Sequence, residues 1–326
     1  MASNDDTIHI AAAGLLPTYW CSARCAHCYE LSGPRRSGWM TLDDARGHLA
    51  ALRRLGVAVD GLHIGGGEPF GDYPLLVAMV RATRQVGLDG LGYVETNAYW
   101  ATDEVLVRHR LAELQEAGLR QISISSDVFH QSYVDPACVT RLWTVARELL
   151  GPGGVRARRW RFLKAPRDLR HASDEERREA YRQALAEHSE RMTGRAAREL
   201  SPLVPLRPAA TFAGDSCRQA LRQSGHVHVD PRGHVFPGTC AGLVLGLASA
   251  SLPLDAVLAG RRGPLWHSLV EGGPLELLTL AASRGYRQET AGYADKCHLC
   301  TSIRTFLYHA GRHADELGPR QMYEEA

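Results

Sequence analysis

Short apolar runs alternate with longer stretches of helical periodicity over the first two-thirds of the chain. The runs at 7–16, 59–64, 91–94, 119–124 and 155–163 read as strands, with 203–206 as a sixth. Between them, apolar spacing predicts helices over 42–55, 73–86, 102–117, 136–150 and 173–192. Local signals mark several ends: Thr41 as an N-cap, Gly118 as a C-cap, and Ser173 with Glu176 as a capping box. Strand–helix repetition with short connections implies parallel strands joined by right-handed crossovers. Ligand chemistry on such sheets or barrels gathers at the C-terminal ends of the strands.

From about Pro208 the pattern changes. Helical periodicity weakens, and His226-Val-His-Val-Asp-Pro-Arg-Gly-His-Val-Phe236 reads as a hairpin around Pro231-Arg232-Gly233. A last helix over 302–310 carries Ile303, Phe306, Leu307 and Ala310 on one side, a stripe that packs the tail on the body. The expected division is therefore 1–207 and 208–326.

The bulk properties narrow the function classes. At 326 residues and 44% hydrophobic, the chain has material for one large domain, or a large one and a small one. A net charge of +2 lacks the positive field of a dedicated nucleic-acid or anionic-membrane protein. The apolar runs fall short of the roughly 20 residues that span a bilayer. Met1 to Thr7 is polar and acidic where an export signal is basic and then apolar. These features place the protein in the cytoplasm, with no membrane and no nucleic-acid partner.

Eight cysteines change the picture. In a reducing compartment, clustered cysteines read as metal or cluster ligands rather than disulfides. Cys21-Ser-Ala-Arg-Cys25-Ala-His-Cys28 puts three thiols in one loop after the first strand. Three thiolates can hold three irons of a cubane and leave the fourth with an open position, the logic of a catalytic site with an incomplete protein shell. The competing reading is zinc, with His27 as fourth ligand.

The CxxxCxxC spacing resembles that of the radical S-adenosylmethionine (SAM) superfamily, and further motifs follow in the expected order. Gly66-Gly67-Glu68-Pro69 after the second strand resembles the family's GGE motif. The resemblance implies an α/β fold, a partial (β/α)6 TIM-like barrel. It implies a [4Fe–4S] cluster on Cys21, Cys25 and Cys28 that binds SAM. Gly66 and Gly67 would let the backbone approach SAM, Glu68 would accept from its ammonium, and His27 would contact adenine. Thr96 and Asn97 after the third strand, and Ser125 and Asp127 after the fourth, resemble contacts to SAM's methionine part and ribose. They equally read as capping residues. The strand at 155–163 is rich in arginine, and Arg161 is the expected partner of SAM's carboxylate; a solvated strand edge is the plainer reading.

Cys217, the hairpin, Cys240 and then Cys297-His-Leu-Cys300 resemble the SPASM/twitch class of auxiliary-cluster domains. Full SPASM domains carry more cysteines, so one auxiliary [4Fe–4S] cluster in a small C-terminal β-hairpin/α domain is expected. A structural zinc on the same four thiols competes with it. Cys138 reads as a small buried hydrophobe, or else as a thiol hydrogen-atom donor of the kind some radical SAM epimerases use.

The resemblance further implies an electron donor, flavodoxin or ferredoxin, and hydrogen abstraction by a 5′-deoxyadenosyl radical. Two substrate classes compete: a small hydroxylated or aminated metabolite (sugar, aminocyclitol or nucleoside), or a ribosomally made peptide. The first leads to dehydrogenation, dehydration or epimerisation. Only about 20 residues precede Cys21, too few for the leader-binding domain of many peptide maturases, which favours the small molecule. Glu95, Asp127, His130, Gln131 and Tyr133 form the expected substrate pocket. A zinc- or RNA-binding module is the remaining class, and the balanced charge speaks against it.

Overall fold

The apolar runs form the strands of one continuous sheet in a computed structural model that describes residues 8–238 and 240–324. The strands are β1 (Ala12–Leu15), β2 (Leu62–Ile64), β3 (Leu91–Thr96), β4 (Leu119–Ser125), β5 (Val155–Arg158), β6 (His226–Val229), β7 (His234–Pro237) and β8 (Gly246–Leu247). Their spatial order is β5-β4-β3-β2-β1-β6-β7-β8. Every pairing from β5 across to β6 is parallel, and β7 and β8 are antiparallel additions. The result is an open, partial barrel-like α/β sheet rather than a closed barrel.

Helices α1 (Leu42–Arg54), α2 (Tyr73–Gln85), α3 (Glu104–Ala117), α4 (Val128–Gln131), α5 (Pro136–Leu149), α6 (Arg161–Lys164) and α7 (Asp174–Glu187) accompany the first five strands. α8 (Ala196–Glu199), α9 (Leu254–Ala259), α10 (Pro264–Glu271), α11 (Gly273–Ala282) and α12 (Lys296–His309) follow. The caps act as their chemistry requires. Thr41 Oγ1 accepts from Asp44 N at 3.1 Å, and Ser173 and Glu176 exchange both bonds of a capping box. Helix α3 starts later than the periodicity suggests, because Asp103 accepts from Leu106 N and so caps it. Between sheet and helices lie Ile64, Val94, Ile122 and Leu142, all fully buried. Burying a side chain of this size contributes about 1.5–3 kcal/mol. Among the described residues no helix is long and apolar enough to cross a membrane. The segment Met1 to Thr7, expected not to be an export signal, lies outside the described residues.

Four expected elements differ. Residues 203–206 are not a strand: Pro202 and Pro205 lack the N–H a ladder needs, and Ser201–Leu203 forms a 3₁₀ turn. The sixth parallel strand is β6, which pairs along all of β1. The 226–236 hairpin forms, but it extends the main sheet across the 207/208 boundary. The fifth strand stops at Arg158, because Arg159 adopts φ +60 and turns the chain into α6. The last helix begins at Lys296 and not at 302, since Asp295 caps it by accepting from His298 N at 2.7 Å.

Candidate active site

The loop after β1 is buried at the C-terminal ends of the parallel strands. Cys21 and Cys25 are 8% and 5% exposed and pack with Val128 and Phe129. Backbone bonds hold the loop: Cys21 N donates to Gly33 O at 3.2 Å, and Cys28 N to Cys25 O at 3.0 Å. The buried guanidinium of Arg195 adds two more, from Nη1 to Cys25 O and Nη2 to Ser32 O, both 2.9 Å. Burial pushes all three thiols up from the ordinary cysteine value, and Arg195 partly offsets this at Cys25 and Cys28. A bound cation reverses that balance in favour of thiolates.

The three cysteines open into a cavity of about 590 Å³. Gly66 and Gly67 line it beside them. A Cβ on Gly67 would stand 2.0 Å from Trp20 O, so only glycine lets the β2 turn lie against the cysteine loop. Thr96, Asn97, Ser125 and Asp127 come from the ends of β3 and β4 and line the same space. Glu68 does not line it. Its fully buried carboxylate accepts from Thr96 Oγ1 at 2.9 Å, Asn97 N at 2.8 Å and Phe70 N at 3.2 Å. Burial raises its pKa to about 7 despite these bonds. Glu68 therefore positions the Thr96-Asn97 turn. Asn97 Nδ2 in turn donates to Ser22 Oγ at 3.1 Å and reaches Cys21 Sγ at 3.5 Å.

Asp127 organises the opposite wall. Its Oδ1 caps α4 by accepting from Phe129 N and His130 N, both 3.1 Å, and its carboxylate meets His130 Nδ1 at 2.9 Å. Burial pushes this carboxyl up, but His130 and His27 outweigh it and hold it well below the usual range. His27 stacks on Phe129 at 4.7 Å and lines the cavity. Burial lowers its pKa to about 4, and its Nδ1 is buried without a partner. A neutral ring with a free nitrogen suits a heteroaromatic ligand.

The family model described as "Radical SAM superfamily" matches residues 15–172. The chain carries a radical SAM domain. No curated protein matches the chain. Similar solved structures include BtrN in complex with AdoMet and 2-DOIA, at 15% identity and a TM-score of 0.48, covering 82% of this chain and 89% of that one. anSMEcpe with bound AdoMet is 11% identical, with a TM-score of 0.48 and coverage of 92% and 97%. Streptococcus suis SuiB bound to S-adenosylmethionine is 12% identical, with a TM-score of 0.34 and coverage of 97% and 77%. A radical SAM domain implies a [4Fe–4S] cluster and SAM.

Several expected pocket residues stand elsewhere. Arg161 sits outside the cavity on α6 and pairs with Glu187 at 2.5 Å, because the turn at Arg159 ends the strand before it. The arginines that do line this cavity are Arg156, Arg158, Arg159 and Arg191. Gln131 is buried and its amide bonds Ser126 O and Phe162 O, so it is structural; Tyr133 is 41% exposed and off the cavity. Cys138 is buried in the main core on α5 and does not line the cavity. Glu95 does line it, with Arg158 at 3.2 Å.

A second cavity, about 650 Å³, is lined by all four C-terminal cysteines. Cys297 and Cys300 lie in the first two turns of α12; Cys240 follows β7, and Cys217 N is tied to Leu269 O at 3.0 Å. Lys296 and the buried Arg304 also line it. Arg191 lines both cavities, with Nη2 3.4 Å from Cys240 Sγ and 3.6 Å from Cys297 Sγ. Among the described residues, no three cysteine sulfurs in either set lie within 4.8 Å of one another.

Sequence reasoning missed the buried Arg195 and, lining the first cavity, Glu30, His63, His226 and His228. A buried arginine in a polar stretch leaves no periodic signal, whereas alternate histidines in the 226–229 run were visible. Replacing Arg195 by Met should leave the carbonyl of Ser32 without this donor, at about 1–3 kcal/mol, and take one of two donors from the carbonyl of Cys25, which keeps Cys28 N. The expected result is a lower Tm and less iron per chain after cluster reconstitution, with only partial recovery in Arg195→Lys, which lacks the planar fork. An unchanged Tm and iron content would show that Arg195 does not anchor the loop.

Proposed function

We propose that the chain is a radical SAM enzyme acting on a small hydroxylated or aminated substrate. Cys21, Cys25 and Cys28 would hold the catalytic [4Fe–4S] cluster, and Cys217, Cys240, Cys297 and Cys300 an auxiliary one within 208–326. The observation that carries the cofactor reading is the placement of three cysteines, Gly66, Gly67, Thr96, Asn97, Ser125, Asp127 and His27 around one cavity.

Bound there, SAM and the cluster would supply a 5′-deoxyadenosyl radical able to take a hydrogen atom from substrate. The protein's own part is to hold, orient and enclose. His27 offers its neutral ring to adenine, and Asn97 and Ser125 offer hydrogen bonds to the rest of SAM. The cavity wall beyond them is charged and polar, with Glu30, Glu95, Arg156, Arg158 and Glu190. Burial raises Glu30 to about pH 7, so it can donate as well as accept near neutrality. Such a wall suits hydroxyls and amines. A flavodoxin or ferredoxin would provide the electron, in the cytoplasm.

The test is isotope transfer. With sugars, aminocyclitols or nucleosides deuterated at the carbon bearing a hydroxyl or amine, deuterium is expected in 5′-deoxyadenosine from at least one of them. Transfer seen only from a peptide would replace this reading by that of a peptide maturase.

A further inference from the structure

One group of side chains in the cavity has no part in the SAM reading. His63 leaves β2, and His226 and His228 leave β6, the two strands that flank β1. All three line the cavity, and one ligand nitrogen of each lies within 4.8 Å of the other two. His63 and His228 meet Nε2 to Nε2 at 3.2 Å. They meet over Gly14, their common partner in register. A Cβ on Gly14 would stand 2.3 Å from His63 Nε2 and 2.4 Å from His228 Cδ2, so the rings occupy space that only a glycine in the middle of the sheet provides.

Hydrogen bonding among the rings leaves this cluster poorly satisfied. One of the two facing Nε2 atoms must carry the shared proton. His63 Nδ1 and His226 Nε2 remain buried with no partner. Burial, reinforced by the neighbouring histidines, lowers His63 and His228 to about pH 3, and burial lowers His226 as well. Neutral rings with converging nitrogens can each offer a lone pair to a metal ion, His63 by moving its proton from Nε2 to Nδ1.

The His63–His228 distance agrees with one ion, and a nitrogen of His226 lies within 4.8 Å of both. Two imidazole nitrogens held by a tetrahedral ion at about 2.0–2.1 Å stand about 3.3 Å apart, against 3.2 Å here. His228 Nδ1 donates to Gly238 O at 2.7 Å, which leaves Nε2 as its lone-pair nitrogen and is the usual outer bond of a metal-bound histidine. Tyr93 stacks on His63 at 4.7 Å with planes 3° apart and sets that ring's orientation.

We infer that His63, His226 and His228 bind one divalent transition-metal ion of the zinc type, separate from both cysteine sets. Three neutral nitrogens leave a coordination position for an outside oxygen or nitrogen, as in catalytic zinc sites. On the function proposed above, that position takes the substrate's hydroxyl or amine.

Zinc content and zinc K-edge absorption of the full chain test this, with iron–sulfur clusters reconstituted, zinc added and the excess removed. The expected result is one zinc per chain with a nitrogen shell near 2.0–2.1 Å. His228→Gln should retain less zinc by about tenfold or more at unchanged iron content. His226→Gln, on a partly exposed ring, gives the same reading should His228→Gln not fold. A sulfur shell near 2.3 Å, no zinc in the wild type, or full retention by a folded variant overturns the inference. SAM cleavage is scored in the same wild-type samples: its failure with zinc bound as expected removes the proposed function and leaves the histidine site standing.

Discussion

Replacing Cys21, Cys25 and Cys28 together by Ala should remove about half of the iron from the reconstituted protein and abolish 5′-deoxyadenosine formation. The loop itself should stay in place. Its anchors include the backbone bond to Gly33 and the Arg195 guanidinium, which use no sulfur, while Ala23 N and Asn97 Nδ2 lose their contacts to Cys21 Sγ. Circular dichroism and iron analysis read fold and cluster separately. Retained reductive cleavage of SAM in the triple variant would sink the assignment of the catalytic cluster.

The second large effect is expected at α12. Cys297→Ala or Cys300→Ala should lose the auxiliary iron and also lower Tm, by roughly 5–10 °C, or about 2–4 kcal/mol at this chain length. The stability term arises because the four ligands come from segments remote in sequence. Metal closing such long loops restricts the unfolded chain as well as joining the folded one. Loss of the cluster would also leave Arg304, which is buried and donates to Ala241 O at 3.0 Å, facing neutral thiols in place of thiolates. Iron and sulfide analysis distinguishes a cluster from a zinc site. An unchanged iron count in a well-folded Cys297→Ala protein would refute the ligand assignment.

Chain-local information was enough for much of this. The caps at Thr41 and Ser173, the C-cap at Gly118 and the alternation of five strands with helices depend on neighbours within a few residues. They are legible without a fold. Parallel alternation alone then puts the cysteine loop, the Gly66-Gly67 turn, Thr96-Asn97 and Ser125 to Asp127 at one end of the sheet. The second cysteine set was visible from its spacing.

What lies beyond local reach was decided by tertiary pairing. Nothing in the 226–229 run states that it will lie parallel to β1, because a strand's partner is chosen by which buried edge is free and not by its own pattern. That pairing is what brings His226 and His228 to His63 across Gly14, and with it the candidate metal site. The inward turn of Glu68, the displacement of Arg161 by the backbone at Arg159, and the burial of Arg195 under the cysteine loop are of the same kind. Each depends on what stands opposite in space. The sequence by itself therefore determined the elements, the order of the motifs and the end of the sheet where they gather; only the tertiary structure decided which polar side chains face the cavity, because long-range packing sets their orientation.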